Sequence, residues 1–186
     1  ASVEVGADLL LTHHGLFWDF HPRSLSPAMA RRLKLALSKD LSIAGYHLPL
    51  DAHPGIGNNV LLCREFGFEP EAEAIGMVKG RAIGAVGRSA GGIRTGELVA
   101  RIESQLNREP LVFAEGPELI HSIGIVSGSG ASDIHTAIEL GLDAFLTGEP
   151  SEHVMADARE GSISFIAAGH YATETCGIRR LGETVA

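Results

Sequence analysis

The sequence has few cysteines and no long apolar run, and both absences narrow the class of protein. Only two of its 186 residues are cysteines, Cys63 and Cys176, and they form no C-x-x-C pair. We therefore expect no disulfide framework and a reducing, cytoplasmic location. No apolar stretch reaches the ~18 residues of a membrane span, and no basic segment followed by an apolar core opens the chain.

Clustered positive charge is also missing. The chain has 15 Lys and Arg against 23 Asp and Glu, and its net charge is −8. Nucleic-acid backbones are bound by clustered Lys and Arg, so general nucleic-acid binding is not expected. Neither the Rossmann fingerprint G-x-G-x-x-G nor the P-loop pattern G-x-x-x-x-G-K-[ST] occurs. The acidic balance is better suited to the capture of cations.

Predicted strands and helices alternate along the chain. An apolar strand at 7–12 is followed by a helix at 27–37, with Ser26 as its candidate N-cap and Pro27 as its first residue. The same order of strand, polar loop and helix of about ten residues recurs toward the C-terminus. This alternation predicts an α/β fold with mainly parallel sheets.

Several boundaries of these elements follow from local signals. A second strand is predicted at 41–48, and Asn58 is a candidate cap for a helix at 59–65 that stops at Gly67. A helical turn is predicted at 117–120.

The character of the sequence changes from about residue 71, which predicts two domains. The first consists of residues 1–74 plus 166–186 and would bind metal, and the second consists of residues 75–165. The chain also begins at Ala1 rather than Met and enters its first strand almost at once. We therefore expect the sequence to be a piece of a longer protein.

Side chains suited to metal binding follow three predicted strands. His13 and His14 close the first strand, Asp51 follows the second, and His170 follows a strand predicted at 163–168. Ligands of open α/β sheets bind outside the carboxyl ends of the strands, so these side chains are expected to share one site. Neutral imidazole is the commonest nitrogen ligand for zinc and also suits iron, copper and nickel.

Glu174 completes the candidate ligand set. It lies four residues after His170, which places both side chains on one face if a helix begins near His170. Two simpler alternatives stay open: His170 as a capping histidine beside an exposed Glu174, and Asp51 as a turn former before Pro54. Three imidazoles and two carboxylates exceed one closed tetrahedral site and suit two divalent ions with open positions for water. The mixed nitrogen and oxygen donors indicate Zn, Fe, Mn or Co rather than Ca or Mg.

Two other polar loops precede helices. The loop 127–130, Ser-Gly-Ser-Gly, is a candidate phosphate cradle, and a tight turn with a serine cap explains it at least as well. Glu149 and His153, at the second junction, are candidates for proton transfer. The remaining histidines receive no role: His21, His47, His53, His121 and His135.

Five segments, in order, resemble the YbgI-like dinuclear metal-centre proteins, also called the NGG-one-interacting-factor-three family. They are Leu11-Thr12-His13-His14-Gly15-Leu16-Phe17-Trp18, Tyr46-His47-Leu48-Pro49-Leu50-Asp51 with Gly57-Asn58-Asn59, Ser127-Gly128-Ser129-Gly130, Thr147-Gly148-Glu149 with His153, and Gly169-His170 with Glu174. The resemblance covers nearly the whole chain. It implies a two-metal site at the positions of His13, His14, Asp51, His170 and Glu174.

The resemblance also carries expectations about fold and assembly. It implies two interlinked α/β domains that form a ring-shaped hexamer, with the metal sites facing an internal cavity. It further implies a strand–helix segment before the His-His motif and more chain after the last helix, neither of which this sequence contains.

The expected function is metal-dependent hydrolysis of a phosphorylated or nucleotide-like small molecule, with a metal-bridged hydroxide as the nucleophile. The family is frequently labelled GTP cyclohydrolase I type 2 homologue, but nothing in this sequence selects GTP. The alternative is a non-catalytic metal-binding regulatory or scaffold protein. A metallochaperone ranks last, because the sequence offers no exposed Cys or Met pair.

Overall fold

The computed structural model describes residues 1–73 and 75–186, which form two compact units, Ala1–His47 and Leu48–Ala186. Within these described residues, no helix combines the length and apolarity that a membrane crossing requires. The predicted domain division has its first boundary at Ala74, which lies outside the described residues. That division stays a prediction.

The first unit is one strand–helix–strand motif. Strand β1 (Leu9–Thr12) and strand β2 (Ser42–Gly45) pair in parallel, and helix α1 (Pro27–Ser38) connects them. The Ser26 side chain accepts a hydrogen bond from the Met29 backbone N–H at 3.2 Å, which confirms the predicted N-cap.

The second unit contains the remaining elements. Its strands are β3 (Glu69–Pro70), β4 (Met77–Val78), β5 (Arg81–Ala82), β6 (Ala85–Arg94), β7 (Leu111–Ala114), β8 (Leu119–Val126), β9 (Ala144–Thr147) and β10 (Ser164–Ala167). Its helices are α2 (Leu48–Asp51), α3 (Asn58–Phe66), α4 (Thr95–Leu106), α5 (Ile134–Glu139), α6 (Val154–Gly161), α7 (His170–Thr173) and α8 (Thr175–Val185). A 3₁₀ turn, Ala131–Asp133, precedes α5.

Six of these strands form one mixed sheet in the order β3-β6-β8-β9-β10-β7. The three central strands β8, β9 and β10 are parallel, whereas β3, β6 and β7 pair antiparallel with their neighbours. The α/β class is therefore confirmed, but mainly parallel pairing is wrong for the outer strands. Their direction depends on long-range pairing, which local alternation does not encode.

The central strands separate two apolar cores because successive side chains point to opposite faces. Ile166 packs with α3 and α4 on one face, and its neighbours Phe165 and Ala167 pack with α5 and α6 on the other. Both faces are covered by helices, so β9 and β10 are buried along their whole length.

Two predicted local features are wrong. Strand β8 begins at Leu119, inside the predicted helical turn at 117–120, because Leu119 and Ile120 pair with β6. The second concerns Asn58, which lies inside α3, while the N-cap position is Gly57. The Asn58 amide is used instead in a buried hydrogen bond to Asp51. The predicted stop at Gly67 is confirmed by its left-handed φ of 90°.

Candidate metal centre

The first unit brings three imidazoles together. Strands β1 and β2 are parallel neighbours, so the residues after them emerge at the same edge. His13 and His14 follow β1, and His47 follows β2 by two residues. Each ring offers a nitrogen, and these nitrogens lie within 4.8 Å of one another. The ring centroids are 4.8 Å apart for His13–His14 and His14–His47 and 5.0 Å apart for His13–His47.

Sequence reasoning assigned no role to His47. It extended the second strand to Leu48, which placed His47 inside the strand, whereas β2 ends at Gly45. The sequence contained one signal for this earlier end. The first predicted strand is shorter than the second, and two parallel strands can pair only as far as the shorter one extends. With β2 ended at Gly45, His47 takes the same strand-end position as the His-His pair.

Close backbone approach shapes this corner. A side chain at Gly45 would meet the backbone of Gly15 at 2.9 Å, so glycine is required there. The Thr12 hydroxyl donates to the His14 carbonyl at 2.9 Å and fixes the first residues after β1. The indole of Trp18 lies against His14 and His47, with ring centroids 5.4 and 5.2 Å away.

Asp51 is the first candidate metal ligand of the second unit. It ends the short helix α2 and is only 4% exposed. The Asn58 amide donates to Asp51 Oδ1 at 2.7 Å, and the Ser127 hydroxyl lies at 3.5 Å from the same oxygen. Both donors are neutral, so they orient the carboxylate without neutralising its charge.

The two buried asparagines at the start of α3 connect the surroundings of Asp51 to other segments of the chain. Asn58 Oδ1 accepts the Gly177 N–H at 2.8 Å, which links Asp51 to α8. Asn59 accepts the Ser127 N–H at 2.8 Å and donates to the Ile83 carbonyl at 2.6 Å. Both asparagine side chains therefore bind other segments of the chain rather than cap the helix.

His170 lies between two carboxylates. Its Nδ1 donates to Glu149 Oε1 at 2.8 Å, and its Nε2 lies 3.2 Å from Glu174 Oε2. A helical turn begins at His170, so the predicted one-face arrangement of His170 and Glu174 is confirmed. Their role as ligands stays a prediction, as do the roles of His13, His14 and Asp51.

The loop 127–130 uses its amides internally. The N–H groups of Ser127, Gly128 and Gly130 donate to the side chains of Asn59, Thr173 and Thr147 respectively. The cap of the following 3₁₀ turn is Gly130, without a side-chain hydrogen bond. These three amides are therefore committed to the protein, which is contrary to a phosphate cradle built on them. The predicted serine cap is absent as well.

His153 lies in a different group of side chains. Its Nδ1 is 2.5 Å from Asp157 Oδ2, and the same carboxylate oxygen is 3.5 Å from His135 Nε2. The rings of His135 and His153 are stacked, with centroids 5.7 Å apart. A proton-transfer role for His153 stays a prediction.

Neither cysteine has the properties of a nucleophile. Burial raises the pKa of the Cys63 thiol to about 12. Burial also raises the pKa of Cys176 to about 12, and the negative charge of Glu65 adds to the effect. Because the thiolate is the nucleophilic form, both thiols are unreactive near neutral pH.

The sequence analysis overlooked one serine that lies in a pattern typical of hydrolases. Gly87-Arg88-Ser89-Ala90-Gly91 matches G-x-S-x-G. That pattern exposes a nucleophile only at a sharp turn from strand to helix. Here all five residues lie inside β6, so the required turn is missing.

The comparison with protein families decides the relationship. The family described as Duf34/NIF3 (NGG1p interacting factor 3) matches residues 1–186. The chain belongs to this family. The resemblance found in the five sequence motifs is thereby confirmed.

Several Duf34/NIF3 relatives are similar over nearly all of the chain. A protein of Pseudomonas aeruginosa named "GTP cyclohydrolase 1 type 2 homolog" is 43% identical over 98% of this chain and 72% of its own length. A protein of Escherichia coli K12 with the same name is 40% identical over the same shares. The solved structure titled "protein ybgI, unknown function" has a TM-score of 0.91 and 38% identity, covering 99% of this chain and 72% of that one. The structure of TTHA1606 from Thermus thermophilus has a TM-score of 0.84 and 31% identity over the same shares.

The close packing of the motifs around His170 gives a first prediction. A methyl group at Gly148 would lie 2.5 Å from the Gly128 carbonyl oxygen and 2.7 Å from His170 Cα, both of them backbone atoms. We expect Gly148→Ala to lower the free energy of unfolding by about 1–3 kcal/mol, the usual cost of overpacking. Urea denaturation measures this loss.

Gly91→Ala is the matched control, because a methyl group there meets nothing within 4 Å. Equal losses in the two variants would contradict the view that the loops pack tightly against the backbone of His170.

Proposed function

We propose that this protein binds two divalent first-row ions and uses them to hydrolyse a phosphorylated or nucleotide-like small molecule. The proposed ligands are His13, His14, Asp51, His170 and Glu174. The observation that carries the proposal is the pairing of His170 with two carboxylates through its two ring nitrogens. Histidines that bind metals commonly donate their second N–H to a carboxylate in this way.

The donor types support the same conclusion. The imidazole cluster of the first unit supplies nitrogen donors, and the second unit supplies Asp51 and Glu174 as oxygen donors with His170. This mixture suits Zn, Fe, Mn or Co. His47 adds a further nitrogen to the imidazole cluster, so it is a candidate ligand beside His13 and His14.

In this proposal the ions supply the nucleophile, and Asn58 and Glu149 orient two of their ligands. When bound, the ions would lower the pKa of water toward 7 and supply a nucleophile at neutral pH. Asn58 holds the Asp51 carboxylate in one orientation, and Glu149 fixes the ring and the tautomer of His170. Glu149 has a partly exposed side chain and is the better placed of the two proton-transfer candidates, because it contacts His170 directly.

Metal content tests whether His14 and His170 bind the same ions. We expect His14→Ala and His170→Ala each to lower the bound metal per chain and to abolish hydrolysis of a phosphoester and cyclic-amide panel together with it. His121→Ala is the control, since His121 is exposed and contacts the Ser89 carbonyl. Elemental analysis and initial rates provide the two readouts.

Two results would contradict this account. If the two variants lost different ions independently, the donors would not share one site. If His170→Ala or Asp51→Ala lost metal yet kept hydrolysis, the ions would not supply the nucleophile.

Glu149 gives a more selective prediction. We expect Glu149→Gln to weaken metal binding about 10–100-fold, because an amide orients the His170 ring less strongly than a carboxylate. A competition titration with a chromophoric chelator measures the change. Unchanged affinity, with Glu152→Gln as the control for the lost charge, would show that Glu149 does not support the ligand.

A non-catalytic regulatory or scaffold protein is the second candidate function. The observation that favours it is the internal use of three amides in the loop 127–130, which leaves them without a role in gripping a phosphorylated substrate. Full metal loading without turnover across the panel would decide for this alternative.

We further propose the assembly that the family resemblance implies, a ring-shaped hexamer of interlinked domains. Large apolar side chains of the first unit support an interface, because Phe17, Phe20 and Leu37 are 68–80% exposed. Sedimentation velocity is expected to give a mass six times that of the 19.6 kDa chain. A monomer at working concentrations would contradict the ring.

A further inference from the structure

A second group of potential metal ligands lies on helix α5 and at the start of α6. It consists of His135, His153 and Asp157, which each offer one ligand atom, and these atoms lie within 4.8 Å of one another. None of the three belongs to the ligand set proposed above. His153 is the N-cap residue of α6, four residues before Asp157 of the same helix, and His135 lies in the first turn of α5.

The distances within this group suit a small divalent ion. Asp157 Oδ2 is 2.5 Å from His153 Nδ1 and 3.5 Å from His135 Nε2. Ligand atoms about 2.0–2.1 Å from a tetrahedral ion are roughly 3.3 Å apart. The 2.5 Å contact is a hydrogen bond, so an ion that binds here would replace it and hold the two atoms farther apart.

The backbone beneath the group is held in place by apolar packing. Ile134 and Ala137 of α5 and Val154 and Ala158 of α6 belong to the same buried core. Each ligand is a neighbour of one of these buried positions along its helix, so the relative placement of the ligands is set by the core. Little backbone entropy is therefore lost when an ion binds.

The group is also open to solvent. The side chains of His135 and His153 are 60% and 41% exposed, whereas Asp157 is 19% exposed. An ion can reach the site directly, and the remaining coordination positions face water. Two imidazoles with one carboxylate favour zinc, and also copper, nickel or cobalt, over calcium or magnesium.

We propose that His135, His153 and Asp157 form a peripheral site for one zinc-class divalent ion, separate from the candidate metal centre. An ion bound there would connect the solvent-exposed sides of α5 and α6, two helices that already pack in one core. A ligand that binds only the folded chain stabilises it, so occupancy is expected to raise the thermal stability of the protein.

The test is a Zn²⁺ titration of the full chain after natively bound metal has been counted. We expect wild-type protein to bind one Zn²⁺ per chain beyond the native content and to unfold at a higher temperature when it is bound. His135→Ala and Asp157→Asn are expected to weaken this binding on the order of tenfold or more, since loss of a ligand should cost at least as much as loss of its supporting contact. Both variants should also lose the rise in unfolding temperature.

Controls separate this site from the proposed metal centre. His121→Ala removes another exposed histidine and should leave the additional ion unchanged. His170→Ala should lose native metal and still bind the additional Zn²⁺ with wild-type affinity. Circular dichroism checks that each variant is folded.

Three results would overturn the proposal. Equal Zn²⁺ stoichiometry and affinity in wild type and His135→Ala would show that the group holds no ion. Loss of the additional ion in His170→Ala would assign it to the other site. Binding only at millimolar Zn²⁺ would reduce the group to an ion pair between histidines and a carboxylate.

Discussion

The hydrogen bond from Asn58 to the buried Asp51 carboxylate is the contact on which the candidate metal ligands of the second unit depend. A buried carboxylate is costly unless it is hydrogen-bonded, and a bond to a charged group contributes about 1.5–3 kcal/mol. Because the same amide accepts the Gly177 N–H, this contact links α2, α3 and α8. Loss of the amide would release the carboxylate and the first turn of α8 together.

The polar groups around Asp51 and His170 also form their hydrogen bonds within the protein. The side chains of Asn59, Thr147 and Thr173 accept hydrogen bonds from three amides of the loop 127–130, and the carboxylates of Glu149 and Glu174 face His170. These hydrogen bonds hold the loop against the neighbouring side chains. The chemistry available to the site lies in its imidazoles and carboxylates, which is the chemistry of metal binding.

Local signals in the sequence predicted local structure well. The serine cap of α1 and the glycine stop of α3 depend only on neighbouring residues, and both are confirmed. The start of β8 depends on pairing with β6, which Pro117 and Glu118 do not encode, so a helical turn was predicted there. The role of Asn58 depends on Asp51, seven residues away, whose buried charge outweighs the simple capping preference of asparagine.

The candidate site shows the same division. His170 and Glu174 were predicted to share one face because helical spacing fixes that relationship. His47 was missed because its position depends on where β2 ends against β1. The group at His135 and Asp157 depends on the packing of α5 against α6, which no spacing in the sequence reveals.

The central proposal is that His13, His14, Asp51, His170 and Glu174 together hold two ions. Anomalous diffraction from crystals of natively purified protein, collected at the absorption edge of the metal found, tests it most directly. The account predicts two peaks a few Å apart, with these five side chains as their ligands. A native protein that shows no peak, or peaks that lie away from these side chains, would contradict it.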